Sequence, residues 1–134
     1  IALEKDEIIL KELQSININS NYEIIQKVAK DKYYKDKDYE IQLIIGPAEQ
    51  TITTIKEKVD IVFLDPFSPK RNPELWTREF FNNIFNIMKP GAKLATYSCA
   101  RVVRDNLKLV GFTVKDGPKV GRRGPSTLAF KSSC

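Results

Sequence analysis

The chain has 134 residues, 42% of them hydrophobic, and a formal net charge of +5. This length suits one domain, and no apolar stretch is long enough to cross a bilayer, which argues against a membrane-spanning helix. There is no histidine and there are two cysteines, Cys99 and Cys134. We therefore expect no metal site, no disulfide framework and a reducing, cytoplasmic location.

The first part of the chain is predicted to contain both strands and helices. In chain order the expected elements are a strand over 1–3 that ends at Glu4, helices over 6–16 and 22–32, an exposed charged loop over 31–39, a strand over 39–45 and a short helix over 48–57. The helices are indicated by apolar residues at helical spacing. Gly46 and Pro47 end the second of these strands.

The rest of the chain continues the alternation. The expected elements are a strand over 59–64, a helix over 77–88, a strand over 92–97, a helix over 100–110, and strands over 112–115 and 127–131. This order predicts an α/β fold with a mostly parallel sheet and helices on both faces. The last two strands have no helix between them and should form an antiparallel hairpin. The run 59–64 lacks alternation, which is typical of a strand covered on both faces.

The most informative motif follows that run. Residues 63–69 read Phe-Leu-Asp-Pro-Phe-Ser-Pro, so a strand ends at a single acid, Asp65, which Pro66 and Pro69 brace. In open α/β sheets, ligands bind just beyond the carboxyl ends of the strands, and Asp65 is therefore a candidate site residue. The alternative is that its carboxylate caps the following turn.

Charge is unevenly distributed along the chain. Residues 89–134 carry ten basic and two acidic side chains, whereas residues 1–88 carry twelve basic and fifteen acidic ones. A basic C-terminal third indicates a polyanionic partner such as nucleic acid, and the alternative is a merely solvated surface. The candidates for phosphate contacts are Lys70, Arg71, Arg101, Arg104, Lys119, Arg122 and Arg123.

Further motifs follow the Asp65 segment in a specific order. They are Asn-Pro-Glu-Leu-Trp at 72–76, Lys-Pro-Gly-Ala-Lys-Leu-Ala-Thr-Tyr-Ser at 89–98, Val-Val-Arg at 102–104, Gly-Phe-Thr at 111–113 and Gly-Arg-Arg-Gly at 121–124. Over roughly 40–131 this combination resembles the methyltransferase domain of bacterial tRNA wobble-uridine enzymes of the MnmC type. The resemblance implies a Rossmann-like class I fold, with S-adenosylmethionine as the methyl donor and no metal. It also implies tRNA as the partner and methylation of the aminomethyl group of 5-aminomethyl(-2-thio)uridine.

The resemblance also assigns donor-binding residues. Glu4 corresponds to the acid that accepts hydrogen bonds from the ribose hydroxyls of the donor, a task suited to a carboxylate. Ala48 and Glu49 fall where the family contacts adenine. Asp65 and Pro66 lie next to the donor.

On the acceptor side, the resemblance places Asp65 next to the amine that is methylated, and Phe67 and Pro69 around the target base. We interpret Asp65 as an acceptor that orients the neutral amine, because a carboxylate is a poor base for an alkylammonium. Two other functions stay open on the sequence: a non-catalytic RNA-binding module, and a class I transferase that acts on a small amine.

The chain departs from the family pattern in two places. Pro47 stands where the family usually has an acid, and no Gly-rich donor loop with its first strand occurs in the sequence. We therefore expect 1–134 to form an N-terminally truncated methyltransferase domain. Without a central strand the sheet should have a gap, which predicts self-association through the incomplete sheet. Nothing in the sequence resembles the FAD-dependent domain that some family members carry.

Overall fold

The computed structural model describes residues 1–20, 22–119, 121 and 123–133. The chain divides into two compact units, unit 1 at Ile1–Thr54 and unit 2 at Ile55–Cys134, and the strands pair in two sheets. In the described ranges no helix is both long and apolar enough to span a membrane.

Unit 1 contains a three-stranded sheet and three α-helices. Its elements are β1 Ala2–Glu4, α1 Glu7–Ser15, α2 Tyr22–Asp31, β2 Tyr33–Lys35, β3 Glu40–Ile45 and α3 Ala48–Thr51, followed by a 3₁₀ turn at Ile52–Thr54. The strand order is β1-β3-β2, with β1 parallel and β2 antiparallel to β3. The helices and strands expected in this part of the chain are confirmed, except that the helix expected over 48–57 ends at Thr54 and its last turn is 3₁₀.

The expected loop at 31–39 is wrong at its centre, where β2 forms a hairpin with β3. Its turn is set by Asp36, whose Oδ1 accepts hydrogen bonds from the backbone N–H of Asp38 at 2.8 Å and of Tyr39 at 2.7 Å. The two tyrosines at 33 and 34 are of a type favoured in strands. The high charge of 31–39 indicated a loop, whereas the capped turn and the aromatic residues favour a hairpin.

Unit 2 contains a four-stranded sheet and two α-helices. Its elements are β4 Val59–Phe63, a 3₁₀ helix at Pro73–Trp76, α4 Arg78–Ile87, β5 Met88–Thr96, α5 Arg101–Val110, β6 Thr113–Asp116 and β7 Thr127–Phe130. The order is β4-β5-β7-β6, with β4 parallel to β5 and β7 antiparallel to both of its neighbours. The predicted antiparallel pair at the C-terminus is confirmed. Both sheets are mixed, because β2 is antiparallel to its neighbour in unit 1 and β7 is antiparallel to both neighbours in unit 2. Fewer strand pairs are therefore parallel than the sequence predicted.

One face of the unit 2 sheet is buried and the other is open. Leu94 and Ala129 on the buried face are fully inaccessible, as are Phe81 of α4 and Leu107 of α5. On the opposite face of β4, Ile61 is 59% and Phe63 is 82% exposed. The expectation that 59–64 is covered on both faces is therefore wrong, because an apolar run alone does not determine which faces of a strand other elements cover.

Candidate active site

The edge of unit 2 at which β4 and β5 end carries the main candidate site. These strands are parallel, so their carboxyl ends meet at one edge of the sheet, and the Leu64 N–H still donates to the Ala95 carbonyl at 2.9 Å. Asp65 follows β4 directly after Leu64, and Tyr97 follows β5. Both line an open cavity of about 330 Å³ whose walls also include Phe63, Leu128 and Ser126.

The Asp65 carboxylate is exposed, and among the described residues no group donates a hydrogen bond to it. The turn after it is closed without it, because the N–H groups of Arg71 and Asn72 donate to the Ser68 carbonyl at 2.8 and 3.0 Å. The capping role that we kept as an alternative is therefore not observed. The Asp65 carboxylate is therefore available to accept hydrogen bonds from a ligand.

The segment after Asp65 presents an aromatic ring and basic groups to solvent. Phe67 is 67% exposed, and the Arg71 guanidinium lies 5.6 Å from the centre of its ring. Pro66 and Pro69 are half-buried and Lys70 is exposed. An exposed ring beside a carboxylate can stack on a base while the carboxylate accepts a hydrogen bond from it.

In unit 1, the parallel strands β1 and β3 end at a second edge. The Gly46 N–H donates to the Glu4 carbonyl at 2.9 Å, which ties the two strand ends together. Oε1 of Glu4 accepts hydrogen bonds from the N–H groups of Lys5 at 2.8 Å and Asp6 at 2.9 Å. These bonds fix the carboxylate, and Oε2 accepts none from the described residues.

Gly46 shapes the turn that leads from β3 to Ala48 and Glu49. Its φ is 137°, and a Cβ at this position would lie 2.9 Å from Cγ2 of Thr51. Ala48 begins α3 and Glu49 lies half-buried in its first turn. Glu4 and Glu49 can thus both accept hydrogen bonds at this edge, as hydroxyl and amino groups of a nucleoside require.

The basic candidates separate into two groups. Lys70, Arg71, Arg101, Lys119 and Arg123 are exposed, and Arg122 lies outside the described residues. Arg104 is different, because its side chain is 22% exposed and its guanidinium donates to Thr127 Oγ1 at 2.9 Å, Asp116 Oδ1 at 2.6 Å and the Ser126 carbonyl at 3.1 Å. These bonds give Arg104 a structural role in unit 2, and we leave it out of the RNA-contacting set that we proposed from the sequence.

Two aromatic residues that sequence reasoning did not single out also contact the Asp65 segment. The Trp76 indole N–H donates to the Phe67 carbonyl and the Tyr97 hydroxyl donates to the Pro66 carbonyl. Both residues fall inside the motifs quoted above, and each combines an apolar ring with one polar group. That combination was the available signal, but only the fold brings the two residues to the same segment.

Comparisons with known proteins identify similar sequences and structures. The model of an S-adenosyl-L-methionine-dependent methyltransferase family matches residues 11–132. The tRNA 5-methylaminomethyl-2-thiouridine biosynthesis bifunctional protein MnmC of Leptospira borgpetersenii is 30% identical over 114 residues, which cover 85% of this chain and 17% of that protein. Its counterpart in Leptospira interrogans is 38% identical over 81 residues, 60% of this chain and 12% of that protein. The chain thus spans less than a fifth of these relatives.

Solved structures show the same fold. The crystal structure of MnmC2 from Aquifex aeolicus superposes with a TM-score of 0.72 at 24% identity, covering 98% of this chain and 52% of that one. A methyltransferase from Pyrococcus furiosus gives a TM-score of 0.53 at 16% identity, covering 98% and 75%. The Rossmann-like methyltransferase fold expected from the sequence is confirmed.

Proposed function

The chain belongs to the S-adenosyl-L-methionine-dependent methyltransferase family, and from this premise we propose that it methylates the aminomethyl group of a wobble 5-aminomethyl(-2-thio)uridine in tRNA. The observation that carries the proposal is the unpaired Asp65 carboxylate, which lines a cavity at the carboxyl ends of β4 and β5. The names of the similar MnmC proteins support the choice of substrate. A tRNA substrate also favours the cytoplasm.

The donor, when bound, supplies a methyl group on a sulfonium, which the amine nitrogen attacks while the carbon–sulfur bond breaks. The residues of this chain bind and orient the two reactants. We propose that Glu4 accepts hydrogen bonds from ribose hydroxyls through Oε2, and that Ala48 and Glu49 contact the adenine. Pro66 limits the conformations of the segment that faces the donor. Such positioning can contribute about 7–11 kcal/mol to lowering the barrier.

Asp65 acts as a hydrogen-bond acceptor and not as a base. The ordinary pKa of an alkylammonium is about 10 and that of a carboxylate about 4, so proton transfer to Asp65 is uphill. The chain has no histidine, which removes the side chain that most often titrates near neutrality. The amine therefore reaches the site neutral or loses its proton to water. Asp65 accepts a hydrogen bond from the amine and so aligns the lone pair of the amine nitrogen with the methyl carbon of the donor.

The exposed basic residues supply the affinity for tRNA. Lys70 and Arg71 follow the Asp65 segment directly, so phosphates next to the target base would meet them first. Arg101, Lys119, Arg122 and Arg123 extend the proposed surface, with Phe67 and Pro69 around the base. Phosphate contacts fix register but do not read sequence, so specificity for the wobble base rests on the cavity and not on these cations.

The decisive experiment compares Asp65→Ala with Asp60→Ala in methyl transfer from S-adenosylmethionine to tRNA that carries 5-aminomethyluridine, because alanine removes the acceptor oxygens altogether. Asp60 is a matched control, because it lies on the same strand and pairs with Lys89 at 2.8 Å on the surface. We expect Asp65→Ala to lower kcat about 100-fold, which is typical for the loss of one preorganised hydrogen-bonding side chain, with tRNA affinity unchanged. Equal turnover in the two variants would refute the role of Asp65. Turnover with a free polyamine in place of tRNA would favour the small-amine transferase.

Self-association remains a proposal, and we assign it to β4. Within the described residues β4 pairs on one side only, and its Phe63 is 82% exposed. Outer strands with apolar side chains are ready sites for pairing with a second copy. Sedimentation over a range of concentrations should show a dimer that Phe63→Lys removes. A concentration-independent monomer would contradict the proposal.

A further inference from the structure

The segment after Asp65 is held by two hydrogen bonds from outside it. The Tyr97 hydroxyl donates to the Pro66 carbonyl at 3.1 Å, and the Trp76 indole N–H donates to the Phe67 carbonyl at 2.9 Å. These carbonyls are consecutive, and they lie beyond the point where β4 stops pairing with β5. The hydrogen bonds from Tyr97 and Trp76 therefore hold this segment in place where the hydrogen bonds between β4 and β5 have ended.

Trp76 is itself firmly placed. It is 5% exposed, and its ring meets the rings of Phe81 and Tyr97 edge-on at 6.4 and 6.3 Å between centroids. Its backbone carbonyl accepts a hydrogen bond from the Asn106 side chain of α5 at 3.3 Å. The indole N–H thus points at the Phe67 carbonyl from a position that the core of unit 2 determines.

Tyr97 is anchored through the residue that follows it. The Ser98 carbonyl accepts a hydrogen bond from Thr127 Oγ1 at 2.6 Å, and Thr127 in turn accepts one from Arg104. Thr127 and Ser98 are 0% and 5% exposed. A buried chain of hydrogen bonds therefore fixes the backbone at the end of β5, and with it the starting point of the Tyr97 side chain.

We propose that Trp76 and Tyr97 are positioning residues for methyl transfer, which hold the Pro66 and Phe67 carbonyls so that the Asp65 carboxylate and the Phe67 ring keep the geometry that the substrate requires. The proposal rests on the proposed function for the identity of the reaction. Neither residue takes part in proton transfer. A shift of about 1 Å in an aligning group can cost about 100-fold in rate, so a clamp on this segment matters more to kcat than to binding.

Tyr97→Phe is the sharpest test, because it keeps the ring and its contact with Trp76 and removes only the hydroxyl. Tyr39→Phe is the matched control, since Tyr39 is 59% exposed in unit 1. We expect Tyr97→Phe to lower kcat roughly 3–10-fold, the effect of one lost hydrogen bond. The KM for tRNA and the shape of the pH profile of kcat should stay unchanged. Trp76→Phe should act in the same direction and more strongly, because its bond is the more buried of the two.

Hydrogen exchange followed by mass spectrometry provides a readout that does not depend on the reaction. In Tyr97→Phe the amides over 67–72 should exchange faster than in the parent protein, while β5 and β7 and the unfolding midpoint stay unchanged. Unaltered kcat and unaltered exchange over 67–72 would overturn the proposal. So would a fall in the midpoint with faster exchange throughout unit 2, which would show a role in stability alone. Should Asp65→Ala leave turnover intact, the proposed function fails, and exchange over 67–72 still decides whether the clamp exists.

Discussion

In unit 2 large apolar side chains from both helices and from β5 form a closed core, with Phe81, Leu94 and Leu107 all at 0% exposure. In the described part of unit 1 the buried hydrophobic residues are Leu10, Ala29 and Ile52, while Ile8 and Ile18 are 67% exposed. The proposed acceptor-binding residues thus belong to a unit with a closed core, and the proposed donor-binding residues belong to a unit with few buried hydrophobic side chains. Because local opening follows the density of buried contacts, we expect unit 1 to open at a lower free energy than unit 2.

This difference has a functional consequence. A ligand that binds only the folded form of a region stabilises it in proportion to the logarithm of its concentration over Kd. If Glu4 and Glu49 hold the donor, its binding orders the weaker unit, whereas the Asp65 segment is already fixed by Trp76 and Tyr97. The comparison therefore predicts that the proposed donor-binding residues become ordered when the donor binds, and that the proposed acceptor-binding segment is rigid beforehand.

The largest effect is expected from Phe81→Ala, which removes a fully buried ring from unit 2. It should lower the free energy of unfolding by about 3–5 kcal/mol, followed by the fluorescence of Trp76, the single tryptophan of the chain. Leu109→Ala is the control, because Leu109 of α5 is 64% exposed and should change stability by less than about 0.5 kcal/mol. Similar losses in the two variants would show that the core of unit 2 is not closed as described.

A smaller effect is expected from Arg104→Ala, which removes three hydrogen bonds from the polar network of unit 2. Hydrogen bonds to charged groups contribute about 1.5–3 kcal/mol, so we expect a loss of about 2 kcal/mol in urea unfolding. Arg101→Ala serves as the control, since the Arg101 side chain is 96% exposed and its ion pair with Asp105 is long at 3.6 Å. If Arg101→Ala costs as much as Arg104→Ala, burial does not explain the difference between the two arginines.

The smallest effect concerns the β2–β3 hairpin of unit 1 in acid. The Tyr34 hydroxyl and the N–H groups of Asp38 and Tyr39 hold the pKa of Asp36 below its usual range, and Lys35 and Tyr33 do the same for Glu40. A lowered pKa in the folded state stabilises the hairpin above the ordinary carboxyl pKa of about 4, and this stabilisation is lost as the pH falls through the lowered values.

We expect amides over 33–45 to lose protection from hydrogen exchange as the pH falls below about 4, after correction for the intrinsic rate. Asp36→Asn should weaken that pH dependence, whereas Asp38→Asn, at an exposed ion pair of 4.0 Å with Lys37, should not. A hairpin whose protection is independent of pH would show that these carboxylates do not support unit 1.

The sequence predicted most helices and strands because their periodicity is local, and it indicated Asp65 as a candidate because a strand end followed by proline is a local signal. It did not predict β2, where the charge of 31–39 outweighed the strand preference of its tyrosines. It also could not distinguish a strand buried on both faces from β4, since an apolar run is the same in both cases. The sequence predicted that Arg104 contacts RNA, since only the tertiary structure shows that Thr127 and Asp116 lie within hydrogen-bonding distance of its guanidinium.

Positions 46 and 47, at the edge of the unit 1 sheet, should differ in their tolerance of substitution because of the conformation of Gly46. Any side chain at 46 would need a strained backbone and would press on Thr51, whereas Pro47 is exposed and its φ of −55° suits proline. The turn therefore keeps its shape whatever residue follows the glycine, provided that residue accepts this angle. In a saturation library, position 46 should tolerate almost no substitution and position 47 many. Evolution can therefore exchange the residue at 47 without disturbing the turn that leads from β3 to Ala48 and Glu49.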